Sequence, residues 1–453
     1  MFRYLRNAAL LGASACGLLG AFDNPKEAWR AGVAQIVITP REPIWLSGYE
    51  DRDHPHQGVL RDLYVKALAL QDETAQTSVL VTADVLGFTR EAGAAVAERC
   101  LKQFGLSRDR LVLNASHTHS APVIDPPTWP EHELMPEAQF PVVKRYTASL
   151  VDKTVEAVGH AIQNMAPARL RFGQGFAAIA VNRRRAVISR DLPGQVDQDV
   201  PVLAVELADG KLLALVVGYA CHATVLNTYP INGDWPGFAQ EEIERRHPGA
   251  TALYVQGCAA DANPLPRRSV ALAKGYGQIL GAAVDDVLSA RMSAVAGPLE
   301  TAYGMVDLPF HTVPSRAQLE LDLKSTEDYQ RWRARRMLTI LDTGAHLPDH
   351  YAYPIQVWQF GPGLRFIALG GEVVSDYSLR LKRQYGFNDT WVAAYSNDVF
   401  GYVPSRRVLQ EGGYEGGNAN TNFPGPFGAA VEELIVEKTG DLVRQLTGKG
   451  DRR

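Results

Sequence analysis

The sequence predicts an α/β fold in which mixed β-sheets are flanked by helices. Short, nearly continuous apolar runs rich in Val, Leu and Ala alternate with longer stretches of helical periodicity. Runs of that kind suit sheets covered on both faces. No Ser- or Gly-rich linker divides the 453 residues, so one compact domain over residues 31–447 is expected.

In chain order, strands are predicted at residues 33–38, 64–71, 77–84, 111–116, 169–180, 201–206, 212–220, 251–257 and 364–370. Helices are predicted at 90–103, 142–164, 237–246, 271–289, 317–341, 373–384 and 428–446. Pro236-Gly237 reads as a helix start, and Gly105 and Gly386 as stops. The highly charged residues 324–336 read as a solvated helix face. Residues 125–141 carry five prolines and several acids and are expected to form a long loop, as a lid or as a plain connector.

Composition removes several function classes. Charged residues make up 21% and hydrophobic residues 46%, which are globular values. A net charge of −4 gives no footprint for nucleic acid. The four cysteines form no C-x-x-C pair, which argues against a thiolate metal site. Met1-Phe-Arg-Tyr-Leu-Arg6 followed by an uncharged Ala-, Leu- and Gly-rich stretch to Phe22 is expected to be an export signal within residues 1–25. It is too short and too weakly apolar to span a bilayer, and no other segment could cross one. Ala13-Ser-Ala-Cys16 is similar to a lipoprotein cleavage site, except that Ala13 stands where Leu is usual. A periplasmic or secreted protein is therefore expected, with a lipid anchor left open.

The chemistry concentrates at strand ends. Leu111-Val-Leu-Asn-Ala-Ser-His-Thr-His-Ser-Ala-Pro122 is a β-prone run that ends in a His-x-His pair. Residues two apart on a strand face the same way, so His117 and His119 would enter one metal or acid/base site. The plainer alternative is two histidines at a polar turn. The apolar run 212–220 likewise exits into Cys221-His222, and Phe366-Ile-Ala-Leu-Gly-Gly-Glu372 places a carboxylate after a strand and a Gly-Gly turn. Glu372 would also serve simply as a helix-start acid. Tyr402 and Tyr414 follow in Gly-rich loops, where tyrosines are often packing residues. Asp84 and Asp234 could fix a ligand imidazole, or could be ordinary turn and cap acids.

Taken together, these segments resemble the neutral (non-lysosomal) ceramidase family in its catalytic N-terminal domain, over residues 31–446. The resemblance rests on Ile36-Val-Ile-Thr-Pro40, Thr82-Ala-Asp84, Ser116-His-Thr-His-Ser120, Asn182-Arg183, His222, Glu372, Gly401-Tyr402 and Tyr414-Glu-Gly416. It implies that zinc is held by His117, His222, Glu372 and Tyr402, while His119, Arg183 and Tyr414 act on substrate. It further implies an amide-cleaving hydrolase that works on a small-molecule or lipid-like substrate. Two departures stand out. Asn263 occupies the place of the family's Ser in Gln256-Gly-Cys-Ala-Ala-Asp-Ala-Asn-Pro264, and the chain leaves no room for the family's C-terminal β-sandwich. Both weaken ceramide as the substrate. A metal site of this type lowers the pKa of water to about 7, so the missing Ser need not abolish hydrolysis. Cys258, five residues before Asn263, reads as a buried structural thiol rather than a nucleophile. The alternatives are the same metal site acting on an ester, lactone or glycosidic bond, or a non-catalytic binding protein on this scaffold.

Overall fold

In the computed structural model, residues 29–127, 131–187, 189–191 and 194–450 are described. The expected export segment lies outside them. The main sheet runs in the order Leu111–Ala115, Thr77–Ala83, Tyr64–Gln71, Trp29–Val37, Ala166–Phe176, Asp199–Leu207, Leu212–Tyr219, Thr251–Gln256, with Ser293–Ala294 added beside Ala166–Phe176. Its two outermost pairs are parallel, and the pairs between them are antiparallel. A parallel pair needs a crossover. Helix Arg90–Phe104 supplies one and helix Asp234–Arg246 the other.

Helices cover the outer face of this sheet. Residues from Arg90–Phe104 and Phe140–Gln163 pack on one half, and residues from Asp234–Arg246 and Val270–Ser289 on the other. The inner face meets a second sheet, ordered Leu299–Pro309, His350–Phe360, Leu364–Leu369, Thr390–Ala393. Leu68, Leu203 and Val216 of the first sheet pack there against Trp358, Phe366 and Trp391 of the second. Burial on both sides explains why so many strands read as unbroken apolar runs.

The sequence reading places nine strands of this fold and misses others. Leu299–Pro309 and His350–Phe360 escape it because Gly304, Pro354, Gln356 and Gln359 interrupt their pattern. Pro354 is tolerated because pairing with Leu364–Leu369 begins only at Ile355. The predicted helix 317–341 is two helices, Arg316–Asp322 and Asp328–Asp342. Between them Ser325 Oγ accepts the Glu327 N–H at 3.1 Å, a local bond that competes with helix continuation.

The edge strands of the main sheet are stitched together by one side chain. Asn114 is fully buried on Leu111–Ala115. Its Oδ1 accepts the Gln256 N–H at 2.9 Å, and its Nδ2 donates to Ala394 O at 2.7 Å and Ser396 Oγ at 3.1 Å. One carboxamide thus joins both edges of the first sheet to the end of the second. Asn114→Ala would leave buried backbone groups unpaired, at about 1–3 kcal/mol each. A fall of about 3 kcal/mol in unfolding free energy is expected from urea titration, and an unchanged midpoint would refute the stitch.

Candidate metal centre

Three strands end on the side that Asn114 ties together, and each delivers a site residue. His117 and His119 follow Leu111–Ala115, His222 follows Leu212–Tyr219, and Glu372 follows Leu364–Leu369. The two imidazoles of the His-x-His pair do not converge by strand alternation. The strand stops at Ala115, and His117 takes a left-handed backbone conformation, φ 60°. That conformation is uncommon outside Gly and costs free energy, so the turn itself aims the rings.

Each ring is fixed by a backbone carbonyl. His117 Nδ1 lies 2.7 Å from Leu86 O, His119 Nδ1 2.8 Å from Gly48 O, and His222 Nδ1 2.7 Å from Ala259 O. A carbonyl only accepts, so each Nδ1 carries the proton and each Nε2 presents a lone pair. The ligand atoms of the three buried histidines lie within 4.8 Å of one another. His117 and His119 Nε2 are 3.3 Å apart, and Glu372 Oε2 sits 3.2 Å from His117 Nε2 and 3.3 Å from His222 Nε2. Bare lone pairs and a carboxylate cannot hydrogen-bond to one another. His222 Nε2 and Glu372 Oε2 accordingly have no hydrogen-bond partner among the described residues. The donor set fits a cation between them, and the N/O character suits zinc.

The electrostatics agree. Burial, then the charge of Arg183, pushes His222 down to about 4. Burial, then His117 and His222, pushes His119 well below its ordinary value. Neutral imidazoles are what a metal requires.

Tyr402 stands opposite Glu372, since Glu372-Val373 pairs in parallel register with Tyr402-Val403. Its hydroxyl accepts from Arg183 Nη2 at 3.1 Å, and its ring lies 5.1 Å from that of Tyr414. Arg183 is anchored by Glu415, with Nε to Oε1 at 2.6 Å. Burial opposes the charge of Arg183, but Tyr402 and Glu415 outweigh it and hold the guanidinium protonated. Two cavities meet this cluster. A small one of about 60 Å³ is lined by His117, Glu131, Glu372 and Tyr402 among others. A larger one of about 480 Å³ is lined by His119, Arg183, Asn263, Tyr402 and Tyr414 among others.

Of the two readings open for Asp84 and Asp234, imidazole-fixing acid or turn and cap acid, the structure has the second. Asp84 accepts from Tyr64 N and Gln240 Nε2, and Asp234 accepts from the N–H groups of Val225, Leu226 and Trp235. Neither acid holds an imidazole, because carbonyls do that. Cys258 is wholly buried in the core, and burial pushes its thiol up, away from nucleophilic use. Two residues near the centre were not singled out. Glu131, inside the proline-rich segment, accepts Gly48 N–H at 2.6 Å, and burial pushes its carboxyl up to about 7. The buried Tyr395 hydroxyl has no partner among the described residues, and its ring centre lies 4.4 Å from that of His117. The proline content hints at a functional loop; no pattern marks Tyr395, which follows the short strand Thr390–Ala393.

An α/β scaffold with a buried three-imidazole, one-carboxylate cluster at its strand ends defines a protein built around a metal-type site. Residues 29–265 match the neutral/alkaline non-lysosomal ceramidase family, N-terminal, and the chain belongs to that family as a ceramidase-family hydrolase. The fold is similar to the crystal structure of neutral ceramidase from Pseudomonas aeruginosa (TM-score 0.74, 19% identity, 93% of this chain and 75% of that one). It is also similar to a ceramidase complexed with C2 (TM-score 0.73, 16% identity, 93% and 76%). No helix among the described residues is long and apolar enough to cross a membrane.

Gly48 tests how tightly His119 is held. Gly48 has φ +90°, and a Cβ there would lie 2.4 Å from His119 Nδ1. Gly48→Ala should rotate the ring off its carbonyl and cost about 10- to 100-fold in hydrolytic turnover. Circular dichroism should be unchanged. Wild-type turnover would show that this anchor is dispensable.

Proposed function

We propose that this chain is an exported zinc-dependent hydrolase that cleaves an amide (N-acyl) bond with activated water, through a single catalytic domain spanning residues 31–447. The observation that carries this reading is the convergence of three carbonyl-anchored imidazoles with an orphaned carboxylate oxygen at the junction of two cavities. His117, His222, Glu372 and Tyr402 are the residues assigned to the metal. Zinc bound there supplies a Lewis acid and lowers the pKa of water to about 7.

The remaining residues bind, orient and move protons. With its Nδ1 committed to Gly48 O, His119 keeps Nε2 open to take a proton from the attacking water and hand it to the leaving nitrogen. Arg183, pinned by Glu415, and Tyr414, beside Tyr402, are placed to donate hydrogen bonds to the polar part of the substrate or to developing negative charge. Such donors contribute about 3 kcal/mol each. The amide assignment is supported by membership of the ceramidase family and by the ceramidases whose fold this chain shares, since a ceramide is an N-acyl amide.

Purified protein should hold about one zinc per chain, and chelation should abolish activity. His117→Ala and His222→Ala should lose metal and activity together, whereas the Ala variants of His119, Arg183 and Tyr414 should keep zinc and lose turnover. Full activity in metal-free protein would refute the proposal. Loss of zinc in His119→Ala would instead make His119 a ligand, in keeping with its 3.3 Å approach to His117.

Cys258→Ala separates activated water from a side-chain nucleophile. Trimming this thiol should cost about 1 kcal/mol of stability and leave most of the activity. An acyl group trapped on Cys258 by mass spectrometry would overturn the mechanism.

A further inference from the structure

The larger cavity is lined by guanidiniums, of which those of Arg183 and Arg184 are neutralised by Glu415 and Glu411. Three guanidiniums line it, from Arg183, Arg184 and Arg267, against the carboxylates of Glu50 and Glu415. Glu415 is committed, since Oε1 accepts from Arg183 at 2.6 Å and Oε2 from Arg184 at 2.7 Å. Glu50 accepts from the Tyr329 hydroxyl at 2.8 Å.

Arg267 stands apart. Among the described residues no carboxylate lies within ion-pair reach of it, and its Nη1 makes only a long 3.5 Å contact to Thr224 Oγ1. Asp234, whose field reaches Arg267, is already bound by three backbone N–H groups at 2.7–3.0 Å. Arg268, next in the chain, adds a second guanidinium without a carboxylate partner among the described residues, 5.6 Å from the Tyr49 ring centre. A half-buried guanidinium without a carboxylate partner is well matched to an anion in the cavity it lines.

The position of Arg267 gives that anion a role. Arg267 lines the same cavity as His119 and as Asn263, which replaces the family's Ser. In the hydrolysis proposed above, His119 returns a proton to the leaving nitrogen, so the amine half of the substrate lies on the His119 side. The smaller cavity has no Lys or Arg in its lining and carries Glu131 and Glu372, which disfavour an anion there. We propose that the larger cavity selects an N-acyl substrate whose amine half carries an anionic group, a carboxylate or a phosphate, and that Arg267 binds that group. The proposal rests on the amide-hydrolase reading. Water adds its oxygen to the acyl carbon, the C–N bond breaks, and the nitrogen leaves protonated as an anion-bearing amine. A cavity of about 480 Å³ has room for an amine half the size of an amino acid.

The test uses the zinc-loaded full chain and three laurate amides: N-lauroylglycine, phosphorylated N-lauroylethanolamine and neutral N-lauroylethanolamine. Wild type should favour at least one anionic substrate by about tenfold or more in kcat/KM, and the better one identifies carboxylate or phosphate. Arg267→Gln should collapse that ratio by about tenfold, mainly through KM, and Arg267→Lys should restore part of it. Calorimetry on the His119→Ala protein should show the same order of binding without turnover. Equal handling of charged and neutral compounds in both assays overturns the proposal, as does an Arg267→Gln loss that is equal for all three. Preferential binding of the anionic compounds with no hydrolysis of any amide keeps the anion site and overturns the amide-hydrolase reading instead.

Discussion

The carboxamide of Asn114 is the constraint on which the site depends. A sheet whose outermost strands lie far apart in its order has no intrinsic reason to bring their ends together. Here one buried side chain satisfies the Gln256 N–H of one edge strand and the Ala394 carbonyl beside the second sheet, from a position on the other edge strand. The segments that leave this junction carry His117, His222 and Glu372. Candidate ligands separated by 105 and 150 residues along the chain (222 − 117 and 372 − 222) therefore meet at the ends of a frame of strands. That is the arrangement in which small errors of position are least tolerated and best suppressed.

The cluster also imposes a cost on the apo fold. Each Nδ1–H is committed to a carbonyl, so the three Nε2 atoms and Glu372 Oε2 face one another with acceptors only. Buried polar atoms without partners are destabilising by about 1–3 kcal/mol each. A cation held by His117, His222 and Glu372 would relieve those acceptors at once and leave the His119 Nε2 open. Metal affinity and folding stability are thereby drawn from the same interactions, which is the usual linkage in a site that is preformed only in the native state. The carbonyl anchors, rather than Asp84 or Asp234, set the tautomers.

Much of this was legible in the sequence because chemistry and strand ends coincide in it. An apolar run that stops at a histidine or at Gly-Gly-Glu is visible without coordinates, and so are the alternating sheets and helices. What was hidden depends on backbone geometry or on long-range contacts. The left-handed turn at His117 cannot be read from His-Thr-His, and alternation along a strand would have given a different reason for the same convergence. Strands Leu299–Pro309 and His350–Phe360 carry Gly304, Pro354 and buried Gln356, tolerated only because partners are present in the fold. Glu131 and Tyr395 approach the centre through long-range contacts, with the Gly48 N–H and with the His117 ring, that no local pattern announces. Asn114 itself looks like any polar residue near a strand end.

Scaffold and pocket therefore answer to different pressures. The ligand set and its carbonyl anchors are held by the two sheets and by Asn114, and changes there would be felt in folding as well as in chemistry. The walls of the larger cavity include Gly48-Tyr49-Glu50, Asn263 on the short strand Ala262–Pro264, Arg267 in the loop after it, and Tyr329 on helix Asp328–Asp342. Loop residues can change without disturbing strand pairing. Asn263, where the resemblance leads one to expect Ser, and the guanidinium of Arg267 both lie on that wall, within five residues. A metal-centred hydrolysis that draws its nucleophile from water can survive the first change, because no side-chain oxygen is needed. The second change alters what the wall attracts. Under the proposed function, substrate choice would be a property of Arg267 in the turn that follows Ala262–Pro264, beside a centre that the strand ends hold in place.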